Sequence, residues 1–178
     1  MQVMKVNRHS IIVIIASIVI VGTLAYSFVN ATSVENIEFR WNQNSSFDYI
    51  VMMHGGKIEL CNASEFPVTV RAINMDLYFD NQKLGTFTVE PVTINSNSMI
   101  EATGISDMKE NSSPIMLLFM NTEFAGTDIA RIDSNKMFVQ VNYNTSILGF
   151  IPLVVSEVYS GYEFYQIMNG EIDSFHCQ

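Results

Sequence analysis

Beyond the amino-terminal segment, His54, His176, Cys61 and Cys177 are the side chains suited to proton transfer or nucleophilic attack near neutral pH. Neither histidine lies in a nucleophile motif such as G-x-S-x-G, so a catalytic triad has no recognisable frame. His54 precedes Gly55 and Gly56 and reads as a solvent-facing turn histidine. The stretch Gly55-Gly56-Lys57 lacks the Ser or Thr and the spacing of a phosphate loop, which leaves a glycine turn. Cys61 sits in an apolar run where burial is expected, and Cys177 lies beside His176 in a tail expected to be mobile. Outside the cytoplasm the two cysteines are a candidate disulfide, provided their Cα atoms approach within about 7 Å. As metal ligands, His176 and Cys177 are too few to make a site. Asp76 with Asp80, or Asp128 with Asp133, could enter a calcium site, but no D-x-[DN]-x-[DN]-G run fixes ligand geometry, and solvated surface charge is the competing reading. No acidic pair is marked out for glycoside hydrolysis. Sequons N-x-[ST] begin at Asn30, Asn44, Asn62, Asn111 and Asn144, of which Asn44, Asn62, Asn111 and Asn144 are candidate glycan acceptors. These residues point away from an enzyme and imply no cofactor and no metal.

The elements that would position them begin with an apolar segment. Ile11 to Val29 carries no charge over 19 residues, and a helix of that length rises about 28 Å, close to the hydrocarbon thickness of a bilayer. Lys5 and Arg8 precede it and the next basic residue is Arg40, so the amino end is expected in the cytoplasm and the rest outside, as a single-pass cell-membrane protein. A cleaved signal peptide competes, with Val29, Asn30 and Ala31 as a small-x-small site; the apolar stretch is longer than the usual h-region of about 7 to 15 residues. The expected organisation is a cytoplasmic tail (1–10), a transmembrane helix (11–29), a juxtamembrane linker with a first strand (30–46) and an extracytoplasmic domain (47–178). With 18 acidic residues against 9 basic and a net charge of −9, nucleic acid is not an expected partner, because phosphate binding needs a basic footprint. The 48% hydrophobic and 11% aromatic content supplies one core and rules out a disordered acidic chain.

Period-two alternation dominates the outer part. Ile37, Phe39 and Trp41 alternate with polar neighbours, and Phe47–Met53 followed by His54-Gly55-Gly56 and Lys57–Cys61 predicts a hairpin. Val68, Val70 and Ala72 share one face, whereas Ile73, Met75, Leu77 and Phe79 share the other. That one-residue slip predicts a bulge, a bend or two consecutive strands. A polar turn at Asp80–Lys83 leads to a returning strand over Thr86–Val89, and short strands are expected at Val92–Ile94 and Met99–Ala102. Ser113-Pro114 predicts a helical turn over Ile115–Met120. Met137–Tyr143 and Ile151–Tyr159 read as strands, and Ser160 with Glu163 caps a short carboxy-terminal helix stopped near Gly170. The fold class is all-β: an immunoglobulin or fibronectin III-like antiparallel β-sandwich behind an amino-terminal transmembrane helix, with a short carboxy-terminal helix.

The stretch Ile58–Gly85, IELCNASEFPVTVRAINMDLYFDNQKLG, resembles the second subgroup of late embryogenesis abundant proteins, the water-stress and hypersensitive-response domain. Asn62, Phe66, Pro67, Leu77, Tyr78, Leu84 and Gly85 occupy the places of that family's turn, apolar pair, Leu-Tyr pair and closing glycine. Ala63 departs from the family's usual proline. The similarity extends diffusely to Tyr143, and ILGFIPLVVSEVYSG looks like the ending of membrane-anchored archaeal members. What the resemblance implies is a sandwich with a non-enzymatic role in desiccation-type stress, Asn62 forming a turn and Phe66 anchoring the core; it carries over no catalytic residue. The expected function is therefore a membrane-anchored protective or binding module. Two alternatives are a cell-envelope structural or protein-interaction module with a protein partner, and a domain holding a lipid or other apolar ligand between its sheets, which 11 Met and 12 Phe faintly favour.

Overall fold

A computed structural model describes residues 7–42, 44–109, 136–147, 150–172 and 175–177. The expected helical turn at 115–120, the acceptor Asn111 and the pair Asp128 and Asp133 lie outside the described residues.

Helix α1 (Arg8–Val34) starts at Asn7, whose side chain accepts from His9 N, and runs five residues past Val29, where the span was expected to end. Its many Ile and Val residues are mediocre helix formers in water, but in a bilayer helix is the state that satisfies every backbone group within the segment. The hydroxyl of Thr23 donates back to Val19 O at 2.9 Å, so even this polar group is met by its own helix. The apolar window is almost wholly exposed, and the helix is long and apolar enough to cross a membrane. Its last turn belongs to the domain, with Val34 fully buried in the core.

Strand β1 (Ile37–Trp41) follows at once, a first strand where the alternation of Ile37, Phe39 and Trp41 predicted it. Where an extended hairpin arm was expected, Tyr49–Met53 forms helix α2. Asp48 accepts from Ile50 N at 2.8 Å as its cap, and Tyr49 and Met52, three apart, are the residues it buries. Strand β2 (Gly56–Asn62) then pairs with β1. The phase slip at Ala72 proves to be two strands in different sheets, β3 (Val68–Val70) and β4 (Ala72–Phe79), broken at Arg71. Asp80 and Asn81 both adopt positive φ, 45° and 62°, in the two-residue hairpin turn to β5 (Gln82–Val89). The β5 strand therefore starts four residues earlier than its apolar pattern indicated. A register shift between Leu77 and Tyr78 tucks Leu84 inward. Next come β6 (Val92–Ile94), β7 (Ser98–Met108), β8 (Met137–Ile147), β9 (Ile151–Ser160) and helix α3 (Gly161–Met168), capped by Ser160.

The described strands make a seven-stranded sheet in the order β1-β2-β7-β5-β4-β8-β9, antiparallel throughout, and a ribbon of β3 with β6. One face of the large sheet is the core side. Ile73, Met75 and Leu77 of β4 and Met137, Val139, Val141 and Tyr143 of β8 point there, as the alternation of β8 predicted. Helix α2 packs on β7 and α3 on β1, β8 and β9. Between them Phe47 sits 5.1 Å from Tyr49, 5.5 Å from Trp41 and 5.8 Å from Phe164, ring centre to ring centre. Packing at Gly104 is tight: a Cβ there would lie 1.9 Å from Phe87 Cζ. Gly104→Ala is accordingly expected to cost about 1–3 kcal/mol by forcing the Phe87 ring aside, read as a lowered denaturation midpoint with Phe87→Leu as the rescuing second change.

Burial also holds tyrosine protons in place. Burial, foremost, raises the Tyr49 and Tyr143 hydroxyls well above the ordinary value, with lesser help from Tyr165 for the first and Tyr159 and Glu157 for the second. Tyr159 is raised by burial and by donating to Glu157. Above about pH 10 the unfolded chain loses these protons while the folded one keeps them, so stability falls as pH rises there. In an alkaline absorbance titration these three tyrosines should ionise only together with unfolding; early, reversible ionisation of all seven would contradict the packing.

Candidate functional site

Of the residues singled out for chemistry, the structure joins Cys61 and Cys177. His54 is exposed and its Nδ1 lies 3.0 Å from Ile50 O, where it closes the end of α2. Gly56 makes room for Trp41, whose ring a Cβ would meet at 2.2 Å, and Lys57 pairs with Glu101 at 2.6 Å; this is a turn and not an anion cradle. Asp76 lies on the outer sheet face, paired with Lys83 at 2.7 Å and accepting from Thr86 at 2.7 Å and Asn142 at 3.2 Å. Its oxygens are thus engaged, while Asp80 sits in the hairpin turn. Among the described residues no group of three or more His, Cys, Asp or Glu is placed to hold a metal ion.

Cys61 and Cys177 form a disulfide with Cα atoms 5.7 Å apart. The tail expected to be mobile is instead pinned to the outer face of β1 and β2. Both the backbone N–H and the ring of His176 meet the Glu38 carboxylate, and the Arg40 guanidinium lies 3.9 Å above the Phe175 ring. Arg40 is itself held by Glu59 at 2.6 Å.

The family-pattern residues divide between turn, core and surface. Asn62 is fully buried and donates to Phe66 O, Ile94 O and Asn95 O at 2.8, 3.2 and 3.0 Å, while its Oδ1 accepts from Ser64 N and Ser64 Oγ. It ties the loop before β3 to the loop after β6, and its amide nitrogen has no room for a glycan. Phe66, expected in the core, is 51% exposed, because Asn62 captures its carbonyl and turns the chain outward, with Pro67 also exposed. Leu77 and Leu84 are buried. Tyr78 stacks on Phe138 of β8 on the outer face at 4.7 Å. Gly85 admits the backbone of β7, since a Cβ would stand 2.6 Å from Asp107 O. Of the other acceptors, Asn44 is exposed and donates to Asn42, and Asn144 is half-buried in β8.

The junction of α1 with the domain is the feature that sequence reasoning missed. Asn30, read as a sequon and as part of a competing cleavage site, is buried; its amide donates to Thr145 Oγ1 at 2.8 Å and Thr69 O at 3.3 Å, and its Oδ1 accepts from Thr69 N at 2.8 Å. Thr145 Oγ1 donates to the same Thr69 O at 3.0 Å. Ser27, Asn30 and Ser33, three apart, are all buried, and that polar stripe at helical spacing was the available signal. Beside it opens a cleft of about 370 Å³ between Gly22, Thr23, Tyr26 and Ser27 of α1 and Thr69, Arg71, Thr145 and Ser146 of the domain. Replacing Asn30 by alanine should leave Thr69 N–H without its partner and loosen α1, costing about 1–2 kcal/mol. The corresponding observation is a broadened spin-label distance between α1 and β8; an unchanged distribution would show that apolar packing alone fixes the helix.

No family model and no curated protein matches the chain. A solved structure described as a protein from Archaeoglobus fulgidus is similar at a TM-score of 0.32 and 12% identity, over 70% of this chain and 94% of that one. At that level the likeness carries no argument.

Proposed function

We propose that this chain is a single-pass membrane protein, anchored by an uncleaved α1, whose β domain works outside the cytoplasm as a non-enzymatic protective or binding module. The observation that carries the reading is the continuity of an exposed apolar helix with a domain that needs its last turns. Cleavage after Ala31 would remove Asn30 and orphan Thr69 N–H, which disfavours the signal-peptide alternative. Basic Arg8 before the span and an acidic chain after it favour an outward domain. The finer fold assignment, a sandwich of the immunoglobulin or fibronectin III type, is proposed on the β3–β6 ribbon as a second layer, with Val68, Val70 and Ile94 buried. A stress-related role rests on the sequence pattern around Asn62.

A protein-interaction role in the envelope is the second reading, favoured by edge strand β9, where Val154 and Val158 are 51% and 64% exposed. An apolar ligand between the layers is less favoured, because the described core residues pack closely around Phe47 and Phe87. Detergent extraction from native membranes with intact-mass analysis tests the first reading: it predicts a chain retaining its amino terminus. A chain beginning near Thr32 in the soluble fraction would sink it. If the second reading holds, a stoichiometric partner co-purifies and is lost in Val154→Lys/Val158→Lys.

A further inference from the structure

We propose that the end of the β8–β9 hairpin at Phe150 and Ile151 dips into the outer leaflet of the membrane that α1 crosses, so that the domain rests on lipid at two points; this rests on the reading of α1 as an uncleaved anchor. The direction of β8 carries the argument. Tyr143 reaches Ile37 O, just beyond the end of α1, Thr145 meets Asn30 within its last turns, and Ser146 lines the cleft opposite Gly22–Ser27. Successive residues of β8 therefore run back alongside the helix toward its apolar middle, and the hairpin end follows.

At that end Phe150 is 71% exposed and Ile151 44% exposed. Helix α1 touches β9 as well as β8, and its Val19, Ile20, Val21 and Leu24 are exposed too, so two adjoining elements present apolar surface. In water such adjoining apolar surfaces would attract another chain; against lipid chains they are already solvated. Polar groups change over at the right level: Thr69, Arg71 and Ser146 line the cleft above the tip, where phosphate and glycerol groups lie, and Tyr26, 59% exposed, is placed as interfacial aromatics are.

The test uses full-length chain reconstituted in phosphatidylcholine vesicles whose acyl chains carry bromine, a short-range quencher of tryptophan. Trp41 is the single native tryptophan, buried in the core, and serves as the unquenched background. Phe150→Trp should add emission that is blue-shifted and mostly lost in brominated lipid, as should Tyr26→Trp on α1. Val158→Trp, eight residues along β9 and about 26 Å away, should add emission that bromine leaves intact. Quenching at Tyr26→Trp without quenching at Phe150→Trp would overturn the immersed tip while leaving the anchor standing. Equal quenching at Phe150→Trp and Val158→Trp would overturn it in favour of a domain lying flat. Loss of quenching at Tyr26→Trp as well would mean that the anchor reading itself had failed.

Discussion

Asn62→Ala should lower the stability of the detergent-solubilised chain by about 3–4 kcal/mol, a large share of the total for a domain of this size. Three backbone carbonyls, of Phe66, Ile94 and Asn95, share the two N–H groups of this one amide, and Ser64 N–H bonds its oxygen; Phe66 O and Asn95 O have second donors in Ser64 Oγ and Ser98 Oγ. Asn62 itself is fully buried, and truncation chiefly strands Ile94 O, the buried acceptor, and Ser64 N–H, at about 1–3 kcal/mol for each. Relaxation of the two loops would recover part of that sum. Asn62→Asp keeps the acceptor but loses the donors and places a charge among carbonyls, so it should be at least as damaging. Urea denaturation followed by tyrosine fluorescence reads both variants. An unchanged midpoint in Asn62→Ala would show that the loops hold each other without it.

Breaking the disulfide is the second large effect. Cys61 and Cys177 are 116 residues apart, and closing a loop of that length restricts the unfolded chain by an amount worth about 5 kcal/mol on the chain-entropy account. Cys177→Ser should therefore match or exceed Asn62→Ala in its effect on the midpoint. It should also free the tail, because the Phe175 contact with Arg40 and the His176 contacts with Glu38 are local and exposed, worth little once the covalent tie is gone. Reductant should shift the native chain to the midpoint of Cys177→Ser and leave Cys177→Ser itself where it was. Equal midpoints for the native chain with and without reductant, each run to full thiol release, would contradict a stabilising role.

The sheet was legible where one face is buried and the other wet. In β8 the alternation of Met137, Val139, Val141 and Tyr143 with polar neighbours marked both the strand and its inward side. The slip between Ala72 and Ile73 was legible for the same reason, since a period of two tolerates no change of phase without a break in the chain. Helix α2 was misread because Phe47–Met53 is apolar almost throughout, and a run that short carries no period; Asp48 as a cap was the distinguishing sign. Phe66 was misplaced by the family resemblance, which implied a core anchor, when the hydrogen bonds of Asn62 direct its backbone. The candidate site was least legible. Asn30 and Thr145 are 115 residues apart, and their pairing depends on where β8 ends against α1, a tertiary fact that no local pattern carries.

Protease protection of a chain tagged at both ends, in intact cells and in inverted membrane vesicles, tests the central claim most directly. An uncleaved α1 holding an outer domain predicts that external protease removes the carboxy-terminal tag in intact cells and the amino-terminal tag in inverted vesicles. Both tags would be present on one membrane-bound chain before digestion. Loss of the amino-terminal tag from the mature chain, or a carboxy-terminal tag shielded in intact cells and cut in inverted vesicles, would contradict the account.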